Sequence, residues 1–139
     1  MSETFEVPDD LLYTKDHEWV RIEKKIGVVG ITDYAQKKLR EVIYVELPNV
    51  NTLVKQKETL ATVESVKATS DIYAPLSGRI TEVNVKLVDT PELINDSPYE
   101  EGWIAKIEIT DQSELDKLMD ADEYRRYIEA LEEEAGEGD

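Results

Sequence analysis

A chain of 139 residues that is 40% hydrophobic and 35% charged is sized for one compact domain with a modest single core. Its 16 basic residues stand against 32 acidic ones, and a net charge of −16 argues against nucleic acid as a partner because phosphate backbones repel it. With no cysteine there is no disulfide framework, thiolate metal site or cysteine nucleophile, and the lone histidine, His17, cannot build a multi-histidine metal centre.

No serine sits in a G-x-S-x-G setting, and no apolar run approaches the length that spans a bilayer, so no membrane association is expected. The N-terminus "MSETFEVPDD" is acidic and lacks the charge and apolar pattern of a secretory signal. The chain therefore reads as cytoplasmic, or as a mitochondrial-matrix protein whose leader has been removed. The acidic excess serves solubility, or it steers the chain towards basic patches on partner proteins.

In chain order, residues 1–10 read as a flexible arm, followed by a single domain over 11–131. "HEWVRIE" alternates as a strand, "EKKIG" makes a turn, and "IGVVGIT" is a second, more apolar strand. "ITDYAQKKLRE" predicts a short helix capped by Thr32 or Asp33. "VIYVELP" returns to strand with Ile43, Val45 and Leu47 on one face, and Pro48 ends it.

"ETLATVES" and "SDIYAP" predict two strands joined by a Val66-Lys67-Ala68 turn. Pro75, Ser77 and Gly78 form the next turn, and "RITEVNVK" the next strand. "LVDTPELINDSPYEEG" carries Pro91 and Pro98 with little period-2 pattern and predicts a long surface loop. "WIAKIEI" then places Trp103, Ala105, Ile107 and Ile109 on one face.

Past residue 112 the period becomes helical, through Leu115, Leu118 and Met119 and then Tyr124, Tyr127, Ile128 and Leu131. Helices are expected over 113–131, with a Ser113–Asp116 capping box and Asp120 or Asp122 capping the second. Residues 132–139 read as an acidic disordered tail. Many short strands with a helical appendage point to a small β-sandwich or barrel.

Lys67, at the tip of a predicted hairpin, is the residue to explain. An exposed ammonium is a poor catalyst, since a Schiff-base lysine needs burial or a cationic neighbour. It is, however, easily reached and acylated by another enzyme, and a sharp turn fixes the base of any attached arm. Lysines are also ordinary on exposed turns, so the pentapeptide "ESVKA" leaves both readings open. Trp19 and Trp103 read as core residues and His17 as structural.

Over about Tyr13 to Tyr127 the chain resembles the glycine cleavage system H proteins, a family of lipoyl carriers. "ESVKATSDIYAPLSGRITEVN" resembles their lipoyl-attachment segment, and "YTKDHEWV", "VGITDYAQKKLREVIYVELP", "LINDSPYEEGWIAKI" and "SELDKLMDADEY" follow the same family in the same order. The resemblance places the lipoylated lysine at Lys67, with Glu64, Ser65, Val66 and Ala68 as its recognition context. Biotin carriers usually flank theirs with methionine, and 2-oxoacid dehydrogenase lipoyl domains precede it with an acid; Val66 and Ala68 fit neither.

The resemblance implies a mainly β lipoyl/biotinyl-type barrel-sandwich of two antiparallel sheets, with a short internal helix and C-terminal helices. It implies a monomeric carrier with no catalytic residue and no metal, holding lipoate in amide linkage. Its implied partners are a pyridoxal-phosphate glycine decarboxylase (P protein), a tetrahydrofolate-dependent aminomethyltransferase (T protein) and dihydrolipoyl dehydrogenase (L protein), besides the lipoate ligase or lipoyltransferase that attaches the group. The aminomethyl group of glycine passes from the first to the second, and the third reoxidises the carrier. All redox sulfur then belongs to the cofactor, which suits a chain without cysteine.

The family shelters its loaded arm in a cleft. By family position Glu18 and Asp71 are the carboxylates that would line it, with the segment around Tyr34 nearby; Glu18 is also readable as a solvated strand residue and Asp71 as a turn or strand-entry residue. Two other readings share the same sequence: a lipoyl relay serving other enzymes, and an unlipoylated acidic β-domain that only binds proteins.

Overall fold

The computed structural model describes residues 4–137. In chain order the elements are β1 (Leu12–Tyr13), β2 (Glu18–Glu23), β3 (Ile26–Ile31), α1 (Asp33–Leu39), β4 (Val42–Glu46), β5 (Leu53–Val54) and β6 (Thr59–Ser65). There follow β7 (Thr69–Tyr73), β8 (Gly78–Val83), α2 (Lys86–Asp89), α3 (Leu93–Asp96), β9 (Ala105–Ile109), a 3-10 helix over Gln112–Lys117 and α4 (Ala121–Glu137).

One sheet has the order β1-β2-β3-β9-β8-β5 and the other β4-β6-β7, with every pairing antiparallel. Their inner faces share one core, in which Val29, Ile31, Ile80 and Ile107 of the larger sheet meet Val45, Val63 and Ile72 of the smaller. This is the expected mainly β sandwich of two antiparallel sheets with added helices. A second cluster lies beneath α4, where Tyr13, Trp19, Tyr34, Tyr99, Tyr124 and Ile128 bury their rings and side chains together.

Local chemistry explains the elements that position the site. The Thr32 hydroxyl accepts the Ala35 N–H at 3.2 Å and starts α1, as a threonine N-cap should. Arg40 adopts φ 71° and ends the helix, and its own N–H returns to the Gln36 carbonyl. α4 begins with a reciprocal pair: Asp120 accepts the Glu123 N–H at 2.8 Å, while Glu123 accepts the Asp120 N–H at 3.1 Å.

Five expectations need correction. Ile43 does not share an inward face with Val45, because a bulge between Val42 and Tyr44 turns Ile43 outward and buries Val42 instead. The stretch 87–102 is no loose surface loop. It holds α2 and α3 and buries Leu87, Ile94 and Tyr99. The Trp19 indole N–H donates to the Pro98 carbonyl at 3.0 Å, and Asn95 accepts the Val42 N–H at 2.9 Å while donating to the Arg40 carbonyl at 2.7 Å. Such contacts satisfy backbone groups that a period-2 search does not register.

Asp111, not Ser113, caps the 3-10 helix by accepting the Ser113 N–H at 3.0 Å. Finally, residues 132–137 continue α4 rather than forming a tail, and Lys38 binds Glu132 there at 2.7 Å; residues 138 and 139 lie outside the described residues. At the other end, the described part of the expected arm is held down. The Glu6 N–H donates to Asp33 at 2.9 Å, and Val7 is buried under α4.

Candidate functional site

β6 and β7 pair from Thr59↔Tyr73 to Glu64↔Thr69, and the chain reverses through Val66 and Lys67. A tight hairpin ordinarily needs positive φ in its turn, yet neither Val66 nor Lys67 has it. The Ser65 side chain substitutes for it. Its oxygen accepts the N–H groups of Lys67 and Ala68, both at 3.1 Å, and the Ser65 N–H donates to the Ala68 carbonyl at 2.8 Å. The Val66 N–H donates to the Glu41 carbonyl at 3.0 Å, so the tip is also tied to the start of β4.

Lys67 is exposed at this pinned tip, as are Val66 and Ala68, while Ser65 is buried and Glu64 half-buried. Its ammonium makes one long surface contact, 3.5 Å to the Lys38 carbonyl at the end of α1. The backbone below Lys67 is fixed and its side chain is free to move.

A cavity of about 540 Å³ opens at the far end of β7, lined among others by Tyr13, Glu18, Tyr73, Pro75, Leu118 and Met119, with Lys15, Lys57 and Lys117 also contributing. From Thr69 at the tip to Tyr73 at the cavity, the strand covers roughly 13 Å at its usual rise. The cavity walls combine Tyr13, Tyr73, Ala74, Pro75, Leu118 and Met119 with polar and charged side chains, Asp16 and Glu18 being the carboxylates and Glu18 the buried one.

Glu18, the first residue of β2, is 1% exposed. It accepts the Thr14 hydroxyl at 2.5 Å and the Tyr73 N–H at 3.2 Å. Burial raises its carboxyl to about 7, overriding those two hydrogen bonds, which pull it down, and Asp16 adds a further upward push.

The three carboxylate and tyrosine candidates are not brought together. Asp71 lies on β7 between tip and cavity, exposed and bonded by the Thr62 hydroxyl at 3.3 Å, and is not among the cavity's walls. Tyr34 is buried on the α4 side, its ring 4.8 Å from Phe5 and 4.6 Å from His17, with the Lys38 ammonium 5.3 Å from its centroid. His17 is held at φ 71° with Nδ1 2.9 Å from the Tyr124 hydroxyl, and burial lowers its pKa to about 4, so it is a neutral structural group. Trp19 is fully buried and Trp103 half-buried.

Sequence reasoning missed Tyr13, Thr14, Tyr73 and the Leu118–Met119 wall as one site, because they come from three separate segments of the chain. Among the described residues no cluster of three or more His, Asp or Glu side chains could hold a metal, and no helix is long and apolar enough to cross a membrane.

Residues 11–131 match the family model described as glycine cleavage H-protein. The chain is 48% identical over 126 residues to the glycine cleavage system H protein of Halothermothrix orenii, covering 91% of this chain and 98% of that one. It is 55% identical over 121 residues to the same protein of Symbiobacterium thermophilum, covering 87% and 94%. The crystal structure of a glycine cleavage system H protein from Mycobacterium marinum superposes with a TM-score of 0.76 at 37% identity, over 85% of this chain and 95% of that one.

Proposed function

The chain belongs to the glycine cleavage H-protein family, and from that premise we propose that residues 11–131 form a non-catalytic carrier domain with lipoate amide-linked to Lys67. In this reading it moves the aminomethyl group of glycine from a pyridoxal-phosphate decarboxylase to a tetrahydrofolate-dependent aminomethyltransferase, and dihydrolipoyl dehydrogenase reoxidises it. It works in the cytoplasm, as a monomer that fits one active site after another. The observation that carries the reading is an exposed Lys67 whose backbone is pinned on both sides, by the Ser65 hydroxyl and by the Val66–Glu41 bond.

The residues present fit the group. The dithiolane supplies the thiol redox chemistry that a chain without cysteine lacks. Lys67 provides an amine that leads into open solvent, and β7 leads from that amine to a cavity whose walls are largely apolar. Tyr13, Tyr73, Pro75, Leu118 and Met119 exclude water there. Glu18 offers a negative charge to a cationic cargo, and because burial holds its carboxyl at about 7, an arriving cation favours the ionised form and is held by it. Asp71 lies along the way as a surface contact, and Tyr34 holds α1, with its Lys38 carbonyl, against α4.

The test is the intact mass of the protein after incubation with a lipoate ligase, lipoate and ATP, beside a Lys67→Arg control. A gain of one amide-linked lipoyl group that the control lacks is the expected result. No gain, with a ligase active on another acceptor, would return Lys67 to an ordinary turn residue.

A further inference from the structure

Large hydrophobic side chains exposed to water are unevenly spread over this surface. Ile43 (54% exposed) and Tyr44 (51%) on β4, Val66 (60%) at the hairpin tip, and Val85 (67%) and Val88 (61%) at α2 lie in neighbouring elements. α2 packs along β4, and the Val66 N–H bonds the Glu41 carbonyl immediately before β4, so the five residues lie on elements that adjoin one another and the Lys67 hairpin. The β4 bulge is what turns Ile43 outward. Bulges commonly re-aim side chains beside functional sites.

Resting on the reading of Lys67 as the attachment lysine, we propose that this apolar shelf docks the enzyme that acylates Lys67. Its occupant is a ligase or transferase that presents a lipoyl group activated at its carbonyl, with an apolar ridge bordered by basic side chains. The charge of the chain, with 16 basic residues against 32 acidic ones, suits that border.

The choice of occupant follows from distance. Enzymes that use the loaded arm meet its far end, several bonds from the protein surface. The acylating enzyme must bring its own reacting carbon within bonding distance of Lys67 Nζ, and it therefore closes over the tip and over whatever flanks it.

In the reaction, the lone pair of the neutral Lys67 amine attacks the carbonyl carbon of a lipoyl adenylate made from lipoate and ATP. The amide C–N bond forms, the C–O bond to phosphate breaks, AMP leaves with that electron pair, and the amine proton passes to a base or to water. No atom changes oxidation state. The shelf supplies the adhesion that holds the acylating enzyme over the tip. It also distinguishes Lys67 from exposed lysines with no apolar flank.

The experiment measures kcat/KM for lipoylation of the full chain by a lipoate ligase with lipoate and ATP. The variants are Ile43→Thr/Tyr44→Thr and, on a separate element, Val88→Ser. Leu53→Thr and Ile22→Thr alter exposed hydrophobics on β5 and β2 of the larger sheet, whereas the Lys67 hairpin belongs to the smaller, and serve as controls. Each shelf variant is expected to lose about tenfold or more, chiefly through KM, with the controls unchanged and far-UV circular dichroism preserved. Should β4 tolerate the double change poorly, Val88→Ser reads the shelf from α2. Shelf variants that acylate like the wild type, while Lys67→Arg takes up nothing, would overturn the shelf alone. A wild type that takes up no lipoyl group overturns the attachment reading and the shelf with it.

Discussion

The Glu18 carboxylate accepts the backbone N–H of Tyr73 at 3.2 Å, fastening the first residue of β2 to the last residue of β7. The same carboxylate lines the cavity, so one buried side chain braces the two sheets and supplies the charge at the end of the strand that leads from Lys67. A group with both duties cannot be removed without moving stability and binding together. Its protonation can still be separated from its shape.

Glu18→Gln should change how stability depends on pH. The folded-state pKa of about 7 lies above the ordinary value of 4.5. The folded state therefore holds the proton more tightly, and the associated stability is full below 4.5 and lost as pH rises through about 7. Glutamine keeps the shape and does not titrate. Between pH 5 and pH 8 the wild type should lose roughly 2 to 3 kcal/mol relative to the variant in urea unfolding. A pH-independent difference between the two proteins would mean that Glu18 titrates alike in folded and unfolded chains.

His17 works in the opposite direction. Its folded-state pKa of about 4 lies below 6.5, so its stability contribution is complete above 6.5 and is lost as pH falls towards 4. Desolvation is the main cause, with Asp16 opposing it, and the Tyr34, Tyr124 and Tyr127 rings close the remaining sides. His17→Asn keeps a residue that tolerates φ 71° and removes the titration. The wild type should lose more stability than this variant between pH 7 and pH 5. An NMR titration of the imidazole that gives a pKa near 6.5 would contradict the assignment. Since Glu18 gains as His17 loses, the wild-type profile alone shows neither, and the variants are needed to separate them.

Glu114 should be the costliest carboxylate to truncate outside the cavity. Its two oxygens accept the Ser77 N–H at 2.7 Å and the Ser77 hydroxyl at 2.6 Å, and that hydroxyl oxygen accepts the Gln56 N–H at 2.9 Å. The three residues hold the turn that leads into β8, whose Gly78 has no room for a side chain: a Cβ there would lie 2.0 Å from the Glu108 carbonyl oxygen. Glu114→Ala leaves the Ser77 donors unpaired in a largely buried place and should cost about 3 kcal/mol. Glu114→Gln keeps one acceptor and should cost about half as much. Equal denaturation midpoints for all three proteins would show that the turn stands without Glu114.

What was legible in the sequence was local. Thr32 as a cap, the Asp120 start of α4, the β6–β7 hairpin and Lys67 at its tip depend on residues within a few positions of one another, and short-range pattern reads such things. Ile43 was misread because a bulge is a departure from period 2 that depends on the pairing with β6. The stretch 87–102 was misread because its anchors, Trp19 to Pro98 and Asn95 to Arg40, join distant parts of the chain. The cavity was illegible for the same reason. Resemblance pointed to Glu18, but its upward shift arises from burial, which exists only in the folded chain.

Ser65 decides how firmly the base of Lys67 is held. Its oxygen satisfies the Lys67 and Ala68 N–H groups in a turn that lacks the positive φ such turns ordinarily use. Ser65→Ala leaves both donors to water at an exposed tip, so the global cost should be modest, about 1 kcal/mol. The local effect should be larger: amide exchange at Lys67 and Ala68 should rise while exchange at Val63 in the core stays as it was. If attachment requires a fixed base, lipoylation of the variant should slow through kcat and KM together, because a wandering amine both docks and reacts less often in the right geometry. Ser65→Thr keeps the oxygen and should restore both the exchange pattern and the rate. A Ser65→Ala protein with wild-type exchange at positions 67 and 68 would show instead that the Val66–Glu41 bond alone holds the tip.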